Sequence, residues 1–208
     1  MSRPVVYGAD YSVYVRIVRL ALEEKGIGYE LVPVDIFAAD GIPGWYFDHQ
    51  PFRRIPAFEH DGFRLHETGA IARYVDEAFD GPALQPIEAR SRARMNQIIA
   101  MLDAYAYRAM VWDVAVERLE KTTPDEALVA NGLLQAATVL RALTSLKAAG
   151  PWLLGEQLTL ADLHAAPIIG YFVKVADGQN LLAEFPDIRD WFARIALRES
   201  FAKAEKAG

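Results

Sequence analysis

The patterning of the chain changes character once, at Asp80-Gly81-Pro82, and that change limits the folds open to it. Before the break, short β-type runs alternate with helical periods. Val5-Val6-Tyr7 is an apolar β run. From Tyr14 to Lys25 the apolar positions Val15, Val18, Leu20, Ala21 and Leu22 follow a 3.6-residue period, and Gly26 stops that helix. Tyr29 to Val34 reads as a second strand, and Pro33, which lacks a donor, favours an edge position. Strand, helix and strand in such a short span predict a right-handed parallel βαβ unit.

Phe37 to Pro51 mixes Gly41, Pro43, Gly44 and several aromatics, and is predicted to be irregular with a turn or two of helix. Ala57 to His66 reads as a hairpin about Asp61-Gly62, a strong two-residue turn signal. That register sets His60 opposite Phe63, Glu59 opposite Arg64 and Phe58 opposite Leu65, and it separates His60 from His66. Thr68 to Phe79 is helical, with Ile71, Ala72 and Val75 on one side. Residues 1–80 therefore predict an α/β domain in the order βαβ-ββα.

From Glu88 onward no convincing strand occurs. Amphipathic runs cover Glu88 to about Lys121 and Pro124 to about Ala149, where Gly150-Pro151 ends the second. Thr159 with Asp162 three residues later forms a capping box that starts a third helix. A last helix is expected after Pro186-Asp187. Residues 88–208 predict an all-α helical bundle domain.

Composition narrows the chemistry. At 52% apolar and 24% charged residues, the 208-residue chain is an ordinary globular protein rather than a disordered or fibrous one. It has no cysteine, so any thiol chemistry must use a thiol brought in by a ligand. Its net charge is −6, and residues 1–80 hold eight Lys+Arg against thirteen Asp+Glu. Neither half carries the basic surplus that nucleic acid requires. His49, His60, His66 and His164 show no metal-ligand spacing, so no metal is expected. No run of about 20 uninterrupted apolar residues predicts a membrane span. The N-terminus reads directly into a strand without a signal-peptide core, which predicts a cytoplasmic location.

Three places can carry chemistry. Ser12 follows the first strand at the start of the first helix, where unpaired N–H groups and the helix dipole favour an anion. From position alone a simple capping role is the plainer reading of Ser12. Tyr7 and Tyr11 are rival hydroxyls. In Arg54-Ile55-Pro56, a cis bond would leave the Ile55 amide free to pair with an extended ligand, but by residue type alone a trans bond is expected. Glu67-Thr68-Gly69 opens the next helix. Its acid suits an ammonium, and its hydroxyl and helix start suit a carboxylate, together the zwitterionic end of an amino acid; capping is again the plainer reading. All three places lie at one end of the predicted sheet.

Val6-Tyr7-Gly8, with Ser12-Val13-Tyr14-Val15-Arg16 and Arg19-Leu20-Ala21-Leu22-Glu23-Glu24-Lys25-Gly26, resembles the opening of a glutathione transferase. So do Gln50-Pro51-Phe52-Arg53-Arg54-Ile55-Pro56-Ala57 and Leu65-His66-Glu67-Thr68-Gly69-Ala70-Ile71. Trp152-Leu153-Leu154-Gly155 with Leu158-Thr159-Leu160-Ala161-Asp162 is similar to the family's structural helix start. The resemblance covers nearly the whole chain and points to serine-type, phi- or theta-like bacterial members.

That resemblance implies a thioredoxin-like N-terminal domain binding glutathione as co-substrate, and a helical C-terminal domain that helps form the pocket for a small-molecule electrophile. It also implies a cytosolic homodimer. Ser12 takes the catalytic position. Ile55 takes the backbone-pairing position before a cis-proline, and Glu67 and Thr68 take the acid–hydroxyl pair at the γ-glutamyl end. Asp162 takes a structural cap. Val13 stands where proline is common. Asp40-Gly41-Ile42 lacks the His or Lys often used for the glycine carboxylate, leaving Arg53, Arg54 or Trp45 as substitutes.

Tyr11, Tyr105, Arg108 and Trp112 are candidates for the electrophile wall. In an α-helix Tyr105 and Trp112 share a face with Arg108 between them, although core packing is the default for such a stripe. The activity expected is conjugation of glutathione to small apolar electrophiles. A glutathione-dependent peroxidase or isomerase uses the same thiolate, and a non-catalytic binding module is the alternative from another class.

Overall fold

In a computed structural model, which describes residues 2–205, the first unit is built on a four-stranded sheet. Its strands are β1 (Val5–Gly8), β2 (Glu30–Pro33), β3 (Ala57–His60) and β4 (Phe63–His66), in the order β2-β1-β3-β4. β1 and β2 are parallel, joined through α1 (Val13–Glu24), and β2 is an edge as Pro33 requires. β3 and β4 form the expected hairpin, with Glu59 opposite Arg64 and His60 opposite Phe63. Asp61 and Gly62 both have positive φ, the backbone that a two-residue turn of matching twist demands.

α1 buries Val15, Ile17, Val18 and Leu22, and packs beside α2 (Thr68–Ala78), which buries Ile71, Ala72 and Val75. Val6 and Phe58, fully buried neighbours on β1 and β3, complete this core. The segment after β2 is irregular apart from a short 3-10 turn at Gly44–Asp48.

The helical unit begins with α3 (Ala89–Met101), whose N-cap Glu88 accepts from the Arg90 and Ser91 amides. It continues without a break through a π-helical stretch, Leu102–Val116, into α4 (Glu117–Glu120). There follow α5 (Glu126–Leu146), α6 (Leu160–Phe172), α7 (Ala176–Ala183) and α8 (Pro186–Ala196). α5 packs along the π-helical stretch. By length and composition alone α5 is apolar enough to cross a membrane; in this fold it buries Val129, Gly132, Ala136 and Leu140 within its unit.

The capping box at α6 has both of its bonds. Asp162 is fully buried and accepts from the Leu153 and Thr159 amides and the Trp191 indole, each at 2.8 Å, and from the Thr159 hydroxyl at 3.0 Å. Burial raises its pKa, and the four donors pull the other way. Asp162 is thus a structural cap.

The helical half differs from expectation in three respects. α7 lies between the two helices expected after Gly150. A further helix, α9 (Glu199–Glu205), follows α8 and groups with the first unit, so the described residues divide into 2–84 with 199–205, and 85–198. The interval from Tyr105 to Trp112 is not two turns of α-helix. In a π-helix each turn closes i to i+5 and holds more residues, so the shared face with Arg108 between does not form. Tyr105 is exposed, Trp112 is half-buried and Arg108 reaches Asp113 at 2.6 Å.

Candidate functional site

Strand register brings the three candidate places to one end of the sheet. Tyr7 pairs with Ala57, and Ala57 pairs with His66. The end of β1, the start of β3 and the end of β4 therefore meet there. Ser12 follows β1, Arg54 and Ile55 precede β3, and Glu67 and Thr68 follow β4. A Cβ added to Gly8 would touch both Val15 and Ile55, so the first turn of α1 and the segment before β3 are in close contact.

Ser12 is the N-cap of α1, with extended backbone. Its Oγ accepts from the Val15 amide at 3.4 Å, and its carbonyl accepts from the Arg16 amide at 3.0 Å. Accepting one bond leaves the hydroxyl proton able to donate elsewhere. No acidic side chain lies in the first turn of α1 to offset the positive end of its dipole.

Tyr11 is placed differently. Its hydroxyl donates to Asp35 Oδ1 at 2.7 Å. Burial of the ring, then the bond to Asp35, push the phenol well above its ordinary range. Asp35 is held below the usual carboxylate range by Tyr11 first and then by the Phe37 amide, 2.9 Å away. Sequence reasoning missed Asp35. An acid just past an edge strand is its only signal, and nothing in that position specifies its partner. Tyr7, the other rival, is half-buried, packs on His49 with ring centroids 4.5 Å apart, and has its phenol raised chiefly by burial.

The Ile55-Pro56 bond is cis, against the trans bond expected from residue type and in line with the family resemblance. The β1–β3 ladder stops at Ala57, which leaves Ile55 outside the sheet's pairing. Arg54 is exposed, and its carbonyl accepts from the buried Tyr46 hydroxyl at 2.8 Å.

Glu67 has φ 70° and ψ 110°, an unusual backbone for a residue with a side chain, and such outliers persist where the surroundings impose them. It occupies the N-cap position of α2, and its carbonyl accepts from Ala70 and Ile71. Its side chain makes no capping bond, so the plain capping reading does not hold for the carboxylate. Thr68 beside it is buried.

Of the substitutes considered for a carboxylate holder, Arg53 has its guanidinium over the Phe47 ring at 5.1 Å, and Trp45 is half exposed against His49 and Tyr46. Tyr105, Arg108 and Trp112 belong to the helical unit. Among the described residues no three His, Asp or Glu side chains gather as metal ligands.

An α/β unit with a helix-capping serine, a cis-proline and an acid at the same end of its sheet, followed by a helical unit, is the architecture that the resemblance to glutathione transferases implies. The glutathione S-transferase N-terminal domain family matches residues 6–83, and the glutathione S-transferase C-terminal domain family matches residues 97–199. The chain belongs to the glutathione S-transferase family. It is 29% identical over 204 residues to glutathione S-transferase F13 of Arabidopsis thaliana, covering 95% of this chain and 93% of that protein. The crystal structure of poplar glutathione transferase F1 superposes with a TM-score of 0.85 at 26% identity, covering 98% of this chain and 97% of that one. The apo structure of a glutathione S-transferase III gives 0.84 at 29% identity, covering 98% and 95%.

Proposed function

We propose that this chain is a serine-type glutathione transferase, of phi- or theta-like character, in which Ser12 activates the glutathione thiol for conjugation to small apolar electrophiles. The observation that carries the choice of residue is the contrast at the start of α1. The Tyr11 proton is committed to Asp35, whereas the Ser12 proton is uncommitted at the positive end of a helix.

An ordinary thiol has a pKa near 8.5, and the thiolate is the reactive form. Bringing it to about 6.5 takes roughly 2.7 kcal/mol of preferential thiolate stabilisation. A hydrogen bond to a charged group contributes about 1.5–3 kcal/mol. A helix N-terminus adds about 0.3–1 kcal/mol. Ser12 with its helix therefore suffices as a donor to sulfur, with no general base and no covalent intermediate on the enzyme. The thiol proton passes to solvent water, the sulfur's lone pair forms the new S–C bond, and the C–X bonding pair leaves on the displaced group or, in an addition, the π pair moves onto the acceptor and takes a proton from water.

In this reading the Ile55 amide pairs with the extended backbone of glutathione, beside Arg54. Glu67 receives the γ-glutamyl ammonium, while the Thr68 hydroxyl and the start of α2 receive its carboxylate. Tyr11, Tyr105, Arg108 and Trp112 remain proposed contributors to electrophile binding. The enzyme works as a cytoplasmic homodimer.

The test is retention on immobilised glutathione together with conjugation of a generic aromatic electrophile, followed by rate against pH for wild type and Ser12→Ala. Loss of the Ser12 donor should lower the neutral-pH rate by about tenfold for each unit by which the bound thiol's pKa rises. The rate should recover partly at high pH, where thiolate forms unaided. A Ser12→Ala profile that overlays wild type removes Ser12 from catalysis, and failure of both retention and conjugation favours a binding module.

A further inference from the structure

Arg16 is a buried arginine one turn into α1, 6% exposed, and it grips the chain on both sides of Tyr11. Its backbone amide donates to the Ser12 carbonyl at 3.0 Å, and its Nε donates to the Asp10 carbonyl at 2.7 Å. The far end of the same guanidinium, Nη1, donates to Glu205 Oε1 at 2.6 Å. Glu205 belongs to α9, so the turn that carries Ser12 and the C-terminal helix are two bonds apart through one side chain.

The docking of α9 places Glu205 there by geometry. Along α9 the contacts step backwards along α1. Ser200 hydrogen-bonds Glu24, Lys203 lies 3.6 Å from Glu23, the Lys203 carbonyl accepts from Arg19 Nη2 at 2.9 Å, and Glu205 meets Arg16. The two helices therefore run antiparallel, and α9 reaches the Ser12 end of α1 at its fourth contact. A planar guanidinium can hold a carbonyl through Nε and a carboxylate through a terminal nitrogen at once, in a fixed angular relation; a lysine ammonium cannot.

Capping needs none of this, because the Ser12 Oγ meets the Val15 amide within its own turn. What the Arg16 bonds add is a fixed direction for the Asp10-to-Ser12 turn. On its other side the turn is tied by Tyr11 to Asp35. A donor aimed at an incoming sulfur gains most when it is held in place before the ligand arrives.

We infer that Arg16 and Glu205 are positioning residues for Ser12, so that the C-terminal helix, acting through Glu205, Arg16 and the Asp10 carbonyl, sets the turn from which Ser12 meets the glutathione sulfur. The inference rests on the reading of Ser12 as the thiol-activating residue, and the experiment separates the two.

Full-length Glu205→Gln, Glu205→Asp, Arg16→Lys and Ser12→Ala proteins are compared with wild type for conjugation rate against pH, KM for glutathione and melting temperature. For Glu205→Gln the expected result is a KM within about twofold of wild type, because the γ-glutamyl end is untouched. The neutral-pH kcat should fall at least about threefold, as a half-unit rise in the bound thiol's pKa requires. The deficit should close at high pH. Glu205→Asp, which keeps the carboxylate, should recover part of the loss, and Arg16→Lys should lose at least as much as Glu205→Gln. Should Arg16→Lys not fold, the partly exposed Glu205 decides the matter alone. Profiles for Glu205→Gln that overlay wild type per folded molecule, with only the melting temperature lowered, overturn the inference. So does a loss that is equal at every pH. If Ser12→Ala shifts the profile and Glu205→Gln does not, this inference alone fails; if Ser12→Ala does not shift it, the reading of Ser12 fails.

Discussion

Ser12 and Tyr11 are adjacent hydroxyls whose surroundings give them different tasks. Tyr11 with Asp35 forms an exposed pair worth less than about 1 kcal/mol after screening. The folded-state pKa of Asp35 lies below its unfolded value, so this stabilisation is present above about pH 3.9 and is lost as pH falls through the folded value. Tyr11→Phe keeps the ring but releases one tie on the Ser12 turn, so it should lower conjugation per folded molecule at neutral pH far less than Ser12→Ala does. Its small stability deficit in urea melts should shrink as pH falls below about 3.9 and through the lower folded-state value; a collapse of rate as large as that of Ser12→Ala would move the activating role to Tyr11. Glu67 invites a second substitution. Its side chain is exposed and caps nothing, so Glu67→Ala should alter folding stability by no more than about 0.5 kcal/mol. It should weaken glutathione binding at least about tenfold, since a charge-assisted bond contributes about 1.5–3 kcal/mol. Calorimetric titration beside a melting curve checks both, and unchanged affinity removes Glu67 from the site. At Asp162 the expectation reverses. Asp162→Ala leaves four buried donors without an acceptor and should cost at least about 3 kcal/mol, read from the urea midpoint. The role of Asp162 was legible from its spacing to Thr159. Its bonds to Leu153 and Trp191 were not, because local pattern carries no information about partners 9 and 29 residues away.

Elements with a local cause were the ones readable in the sequence. Asp61-Gly62 dictated the hairpin and its register, Gly26 ended α1, and Pro33 put β2 at an edge. Elements that depend on distant packing were not. α9 has few apolar residues of its own, burying Phe201 and Ala204, and it is held to α1 by bonds donated by Arg16 and Arg19 and by one from Ser200 to the Glu24 carboxylate. The one sequence signal was a pair of arginines, at 16 and 19, within an otherwise apolar run of α1. The cis bond at Ile55-Pro56 left no trace in residue type either, and only the resemblance of the surrounding motif pointed to it. The π-helical stretch was hidden because its composition suits an α-helix equally. It packs on α5 with Gly132 at the contact. A Cβ there would stand 2.9 Å from Val114 Cγ2, 3.0 Å from Asp113 Cβ and 3.1 Å from the Ala109 carbonyl oxygen. Helix propensity favours alanine by about 1 kcal/mol, but overpacking costs about 1–3 kcal/mol, and a backbone oxygen and a Cβ cannot swing aside. Gly132→Ala should therefore be destabilising by about 1 kcal/mol, seen as a lower urea midpoint. A more stable variant would mean that the two helices separate readily.

The whole molecule carries its charge unevenly, and that bears on assembly. The chain has a net charge of −6, with most of the acidic excess before residue 81. The same unit exposes Phe52 at 66% and Phe63 at 51%, large apolar surfaces that a lone soluble unit has no need to present. Two copies that meet do so against like-charge repulsion, so the attraction must come from apolar burial rather than ion pairs. The proposed homodimer should therefore survive added salt. At low ionic strength the repulsion acts at full range, and near 1 M salt the screening length falls to about 3 Å. Sedimentation at micromolar concentration should give twice the mass of the chain, with the dimer unchanged or tighter as salt rises. Phe52→Asp introduces a charge at an exposed position, so it should weaken association, and any fall in melting temperature should follow from the lost dimer and shrink at higher protein concentration. A monomer at every salt concentration contradicts the dimer. A dimer that dissociates as salt is added would show that ion pairs, not Phe52 and its neighbours, hold the copies together.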